Sequence, residues 1–412
     1  MANQPPETAM DQAVVTPAVE TSPVVELRQY TLHPGKRDVL MSLFEKKFVT
    51  SQEALGIHLH GEFRDVDDPN RFVWLRGFSG MDARPGALES FYTGPAWREN
   101  RTEANATMVD SDNVLLLQPA DGNPFTLARK MTATMVATIY LLQSPVDPAF
   151  LRFFHERVEP VVAEAGAKPV AELKTLAVPN NFPKLPIREG ENAFVWFAAF
   201  DNDDAYRRTV EKLDASSDFR AMESELRARL VAAPQHLVLH PTQQALDRSR
   251  APYRYSLDVK GDVHDFDFIE GEWTSRQWRL KERGVGSSEW EAVAGKHWAK
   301  VLLGGVANVD TVDFPEKGWS GSTYRNFDKE RGQWNIYWVN SRDGHMDFPG
   351  QVGGFDGNVG LFYGDDKDGG KPVRVVYRWE KQGASHARWE QAFSYDDGKT
   401  WETNWVMEMT RK

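Results

Sequence analysis

The sequence predicts an α+β protein: two tandem ferredoxin-like βαββαβ units that pair as an intrachain α+β barrel, followed by an antiparallel β-barrel. Three observations carry this. The stretch "FVWLRGF" (72–78) recurs 122 residues later as "FVWFAAF" (194–200). The order strand, helix, strand, strand, helix, strand surrounds each copy. Finally, 11 of the 14 tryptophans fall within residues 262–412, where helical periodicity gives way to short aromatic and β-branched runs.

The first unit opens with "VVELRQYTL" (24–32), then an amphipathic stretch, "KRDVLMSLFEKKFV" (36–49), and the strand "GIHLHGEF" (56–63). After "FVWLRGF" and a second helical stretch it closes with "NVLLLQPA" (113–120). The second opens with "MVATIYLL" (135–142), continues through "PAFLRFFHERVEPVVAEAG" (148–166) and closes with "QHLVLHPT" (235–242). These give domains over 24–122 and 131–245. A four-stranded sheet with both helices on one face leaves its other face bare, and that face must be buried. Two copies in one chain bury these faces against each other. The alternative is that each unit pairs with another chain in a homo-oligomer. A polar linker, 246–261, leads to a third domain, 262–412. There, runs such as "QWNIYWVNS" and "KPVRVVYRWE" alternate with Gly, Asp and Asn turns, as in an antiparallel barrel or sandwich. Asp397-Gly398 between two such runs marks a hairpin.

With 41% apolar and 26% charged residues, the composition is that of an ordinary soluble protein. The net charge of −11, with no Lys/Arg run, argues against nucleic acid and anionic membranes as partners. There are no cysteines, so disulfides, thiolate metal sites and Cys nucleophiles are excluded, and a reducing cytoplasm fits. Residues 1–23 lack the charge and apolar core of a secretory signal and read as a disordered leader. No apolar run approaches the roughly 20 residues of a membrane span. No Gly-x-Ser-x-Gly, His-Glu-x-x-His or dinucleotide fingerprint is present.

The stretch "GIHLHGEF" carries the chemistry. Alternate side chains on a strand face opposite ways. If Ile57, Leu59 and Phe63 pack under the helices, then His58, His60 and Glu62 face the barrel interior. On the first strand Glu26, Arg28 and Tyr30 share one parity; on the third, Phe72, Trp74, Arg76 and Phe78 do. A cavity lined by these groups is suited to proton transfer, with a histidine as base, Glu62 orienting it, and Arg28 and Tyr30 stabilising negative charge. A two-His, one-carboxylate metal site is disfavoured, because positions i, i+2 and i+4 span about 13 Å. Haem ligation by one histidine and a simple row of solvated polar residues stay open. Trp74 and Trp196 occupy equivalent places and read as matched core residues. In the third domain Arg325, Tyr337, Trp338, His345 and His297 are candidate cavity-lining residues.

"VELRQYTLHPGK" (25–36), followed by "FVWLRGF" and "GPAWRE" (94–99), resembles the NIPSNAP family of the dimeric α+β barrel superfamily. The resemblance is close over 25–120; residues 131–245 share only the order of elements and the "FVWFAAF" strand. It implies a barrel with a ligand site in its interior, and relatives that range from cofactor-free monooxygenases to haem proteins. "FDFIEGEW" (266–273) resembles the Gly-x-Trp opening of lipocalin-like (calycin) barrels, and the segment is similar to uncharacterised bacterial domains of that kind. A calycin barrel would bind a small apolar ligand or haem inside. Together these readings point to a cytoplasmic bacterial protein that binds a small apolar or aromatic molecule. Its chemistry would be proton-transfer or monooxygenase-type and need no cofactor, with haem as the alternative. The rival is a non-catalytic ligand-binding or assembly protein.

Overall fold

Alternating apolar residues on eight strands close the N-terminal half into a barrel. The computed structural model describes residues 21–412 apart from Ser288 and Asp347. Repeat 1 supplies β1 (Val24–Leu32), β2 (His58–Asp65), β3 (Arg71–Phe78) and β4 (Met108–Pro119). Repeat 2 supplies β5 (Thr134–Leu141), β6 (Pro169–Thr175), β7 (Ala193–Phe200) and β8 (Gln235–Pro241). The order around the barrel is β1-β3-β2-β8-β5-β7-β6-β4. Each repeat contributes four neighbouring strands, and the antiparallel seams β2·β8 and β4·β6 join the two sheets. The closure is made within one chain.

The barrel interior is apolar. Leu27, Leu75 and Leu117 of repeat 1 meet Ile139, Phe197 and Leu239 of repeat 2 in one buried cluster. Helices cover the outside. In repeat 1 these are Arg37–Leu43 continuing through Phe44–Phe48 to Val49–Glu53, then Ala83–Thr93 and Pro95–Asn105. In repeat 2 they are Pro148–Phe153 continuing through Phe154–Val158 to Glu159–Ala165, then Asp203–Ala215 and Ser217–Arg227. The central segments Phe44–Phe48 and Phe154–Val158 are wide π turns at the same place in both repeats. Asp147, Asn202 and Ser216 cap the helices that follow them, each accepting a backbone N–H three residues on.

Two boundaries differ from expectation. Most of the expected leader, residues 1–20, lies outside the described residues. Its last part is ordered: Ser22 exchanges backbone hydrogen bonds with Phe125 and is fully buried. The expected linker begins inside a helix, Gln243–Ser249, whose Ala245 and Leu246 join the barrel core. Thr242 caps it by accepting from Ala245 N–H. A Thr cap ahead of "QQALDRS" marks a helix start that the polar composition hides.

Residues 262–412 form a second closed barrel of ten antiparallel strands. These are β9 (Gly271–Leu280), β10 (Trp290–Leu302), β11 (Ala307–Phe314), β12 (Trp319–Asp328), β13 (Gln333–Asn340), β14 (Gln351–Asp356), β15 (Val359–Asp368), β16 (Lys371–Lys381), β17 (His386–Ser394) and β18 (Glu402–Arg411). Each pairs with the next, and β18 returns to β9. Asp397 and Gly398 both take positive φ in the final connection, 61° and 87°, as a tight reversal requires. The barrels are joined by buried charge: Arg250 forks onto Glu390 at 2.5 and 3.1 Å, and Arg388 reaches Gln243 at 2.7 Å.

Gly77 on β3 tests the fit at one end of the first barrel. A Cβ there would lie 2.6 Å from His60 Nε2 and closer still to Ser22. Gly77→Ala is expected to destabilise the protein by about 1–3 kcal/mol through overpacking, read as a lower urea midpoint at unchanged m-value.

Candidate functional site

The strand with two histidines contains a bulge. β2 pairs with β3 as His58↔Gly77 and Leu59↔Arg76, then skips His60 and resumes as Gly61↔Leu75 and Glu62↔Trp74. One extra residue reverses the parity of all that follow. His58 and His60 face the barrel side at its end. His60 is 8% exposed and hydrogen-bonds Ser22 Oγ at 2.9 Å, with His58 on the same hydroxyl at 3.3 Å. The His60 ring lies 5.0 Å from that of Phe125. Glu62 faces the other way, under the helices, opposite Trp74. Phe63, expected there, points into the barrel core instead. Burial, with His58 and Arg248 adding to it, pushes His60 down to about 3. It is therefore neutral and a weak base at ordinary pH.

Glu26, Arg28, Tyr30, Trp74 and Arg76, expected in the barrel interior, lie in the layer between the sheet and the helices. Their alternates Val25, Leu27, Val73 and Leu75 fill the interior. The charged residues do share one parity, but that parity faces the helices, since the interface between two sheets has no water to solvate charge. In that layer Glu26 is fully buried and receives three guanidiniums: Arg28 at 2.5 Å, Arg76 at 2.8 Å and Arg84 at 2.7 Å. Arg28 also donates to the Tyr30 hydroxyl at 3.1 Å, and Arg76 to Gln52 at 3.3 Å. Burial alone would raise the Glu26 carboxyl, but Arg76, Arg28 and Arg84 hold it well below the usual carboxylate range. Burial raises Tyr30, with Arg28 opposing. Arg84, which sequence reasoning missed, donates to Asn180 at 3.1 Å and Asn181 at 2.8 Å. Both asparagines come from "VPNNFPKLPIREGEN" (178–192), an insertion ahead of β7 that repeat 1 lacks; it crosses onto repeat 1 and stacks Phe182 against Tyr92.

A second group surrounds Glu62. Its carboxylate pairs with Arg248 from the Gln243–Ser249 helix, and Arg248 Nε lies 3.7 Å from Glu53. Glu62 Oε1 and Glu45 Oε1 are buried without a hydrogen-bond partner. Glu45 stands in the π turn Phe44–Phe48, whose Phe44 ring packs 4.8 Å from that of Trp74. Burial pushes Glu45 up to about 7; Glu62 adds to this, and hydrogen bonding to Thr242 and the charges of Arg64 and Arg248 oppose it. Glu45 and Glu62 thus lie near one principal cation, Arg248, which ion-pairs with Glu62 and Glu53 but not with Glu45. Glu45 lies on no strand parity, and in the sequence it is no more than an acidic residue on an amphipathic helix.

Repeat 2 copies this frame with other side chains. β6 pairs with β7 as Pro169↔Ala198, skips Val170, and resumes as Ala171↔Phe197 and Glu172↔Trp196. Glu172 therefore matches Glu62, and His155, in the π turn Phe154–Val158, matches Glu45. His155 Nδ1 lies 2.8 Å from Glu159 and Nε2 lies 3.5 Å from Glu172. Burial raises Glu172, with His155 opposing. The triple-arginine cluster has no counterpart: Val136, Thr138 and Ala198 stand where Glu26, Arg28 and Arg76 stand in repeat 1.

Residues 25–121 match the NIPSNAP family model. No curated protein matches the chain. Among solved structures, a NIPSNAP domain protein from Burkholderia xenovorans is 17% identical, with TM-score 0.23, covering 25% of this chain and 99% of its own. A protein proposed to be a monooxygenase from Lactobacillus acidophilus NCFM is 16% identical, with TM-score 0.33, covering 54% and 94%. An anthrone oxidase-like protein is 16% identical, with TM-score 0.36, covering 53% and 90%. The NIPSNAP domain thus holds both repeat-1 clusters, with Arg248 and Asn180–Asn181 reaching them from outside it.

In the C-terminal barrel, Arg325 points inward and pairs with Asp310 at 2.5 Å and Asn308 at 2.9 Å, its guanidinium 4.9 Å from the Phe266 ring. His297 is buried on Ser275 at 2.7 Å, and burial pushes it down to about 4. Trp338 packs near Trp405, ring centroids 6.3 Å apart. The other two candidates fall elsewhere. Tyr337 has the opposite parity, pairs with exposed Tyr324, and lies beside Phe348. His345 sits on an exposed turn after β13. Strand alternation excludes the first from the interior, and the turn excludes the second. No helix among the described residues is long and apolar enough to cross a membrane.

Two outcomes follow for the NIPSNAP domain. Glu26→Gln leaves three buried guanidiniums without a carboxylate and is expected to cost about 3–5 kcal/mol in urea unfolding, whereas Arg84→Met is expected to cost less. For Glu45, raised from 4.5 to about 7, the native state holds the proton more tightly than the unfolded chain. Its stabilisation is complete below pH 4.5 and is lost as pH rises to about 7, on the order of 3 kcal/mol. Buried His60 acts in the opposite sense, so the effect is read as the difference between wild type and Glu45→Gln. That difference should shrink steadily from pH 4.5 to 7.

Proposed function

We propose that the N-terminal barrel binds a small apolar or aromatic molecule on the helix-facing side of β2 and β3. Glu45 and Glu62 move protons there without a bound cofactor. The observation that supports this most directly is the divided carboxylate pair. Arg248 ion-pairs with Glu62, while burial raises Glu45 to about 7, where a group serves equally as acid and base. The Phe44 and Trp74 rings beside the pair offer an aromatic wall. In this reading Glu45 takes a proton from a phenol or an activated C–H, and Arg248 stabilises the anion that results. Such a proton removal leaves an electron-rich anion that dissolved dioxygen, as the oxidant, can attack, the cofactor-free monooxygenase-type chemistry that the family resemblance implies.

Glu62 keeps the role its strand position implied, and Glu45 replaces the histidines as base. His58 and His60 turn to Ser22 and help close the barrel end, which also weakens a haem reading. Glu26, Arg28, Tyr30 and Arg76 act behind the pair as a rigid charged layer. We read each repeat as a ferredoxin-like unit and the third domain as a calycin-like carrier, with Arg325 and Trp338 inside it. The setting is a bacterial cytoplasm, in keeping with a chain without cysteine. Self-association, if it occurs, uses the outer surface, since the barrel closes alone.

The test is ligand capture followed by titration. Native mass spectrometry of gently purified protein should show a co-purifying aromatic compound and no Soret-absorbing haem. Its binding, read by tryptophan fluorescence, should depend on pH with a midpoint near 7, and Glu45→Gln should abolish that dependence. Binding that is indifferent to pH in both proteins would favour a non-catalytic carrier.

A further inference from the structure

We propose that His155, Glu159 and Glu172 form a divalent transition-metal site on repeat 2, occupying the place that the Arg248 guanidinium fills in repeat 1. The nearest ligand atoms of the three side chains lie within 4.8 Å of one another. His155 Nε2 and Glu172 are 3.5 Å apart. Two ligands about 2.1 Å from a tetrahedral ion stand about 3.4 Å from each other, so this pair is already at coordinating distance. The π turn brings His155 and Glu159 to one side of the helix, and β6 brings Glu172 up beneath them.

The internal repeat gives an independent reason to expect a cation. After matching bulges, Glu62 and Glu172 take the same position opposite Trp74 and Trp196. The backbone carbonyl of each accepts from the chain that follows the neighbouring repeat's last strand: Thr242 N–H on Glu62 and Ala120 N–H on Glu172. In repeat 1 that following chain turns into a helix and lowers Arg248 onto Glu62 and Glu53. In repeat 2 it runs through Asp121, which adds another negative charge, and no Lys or Arg pairs with Glu159 or Glu172 among the described residues. Glu172 Oε2 is buried without a hydrogen-bond partner. Two carboxylates and one imidazole suit zinc or manganese rather than calcium or magnesium, for which a nitrogen ligand is a poor choice.

The full-length chain, stripped with EDTA, is titrated with ZnCl2 and separately with MnCl2 by calorimetry. One zinc per chain is expected at micromolar affinity or better, and His155→Ala and Glu172→Gln should each weaken it at least about tenfold. Glu45→Gln, in the other repeat, should leave it unchanged. His155 is half-exposed, so His155→Ala should fold, and circular dichroism verifies both variants. The proposal is overturned if wild type takes up neither metal stoichiometrically, or if both folded variants bind zinc as wild type does.

Discussion

Each N-terminal sheet has helices on one side only, and its other side has to be kept from water. The two repeats meet this constraint by pressing those sides together into a closed eight-stranded barrel. The charged side chains must then go elsewhere. Where two sheets interdigitate, no solvent or helix terminus is available to satisfy a charge, so leucine, valine and phenylalanine occupy the space. Glu26, Arg28, Arg76 and Glu62 are displaced to the helix side, where asparagines, Gln52 and a second guanidinium layer can reach them.

The sequence made the architecture legible because a repeat of 122 residues and a shift in tryptophan density are long-range signals that survive local noise. It also showed which residues share a face. It did not show which face that was. "VELRQY" has apolar side chains on one parity and charged ones on the other, and ordinary experience assigns the charged side to water or to a cavity. Here both sides are buried, so hydropathy alone had no means of choosing. The bulge at His60 was legible only as an option offered by Gly61. A glycine two residues before a phenylalanine permits one, yet only the pairing with β3 shows that the strand slips there and carries Glu62 to the opposite side. Glu45 and Arg248 were invisible for a different reason: they come from helices in separate repeats and meet only through the closure of the barrel.

The two repeats have kept a scaffold and changed its contents. Both retain the bulge, the tryptophan opposite a glutamate, and the widened helical turn above it. Repeat 1 buries three guanidiniums around one carboxylate, an arrangement with little stability advantage over apolar packing but a strong demand on geometry. Repeat 2 has valine, threonine and alanine at those positions and a histidine above its glutamate. Widened turns of this kind are costly to maintain and are often found beside working groups. Their persistence in both halves fits a frame retained for the side chains it presents.

The insertion that carries Asn180 and Asn181 has made the halves unequal partners. It belongs to repeat 2 by sequence, yet its amides satisfy Arg84 of repeat 1 and its phenylalanine lies on Tyr92. A duplicated module that borrows acceptors from its sibling has lost its independence. Neither copy could be exchanged for the other, or released as a free-standing dimer, without taking two acceptors from a buried cation. Their union is in this sense locked, held by a few amide oxygens on a surface strap.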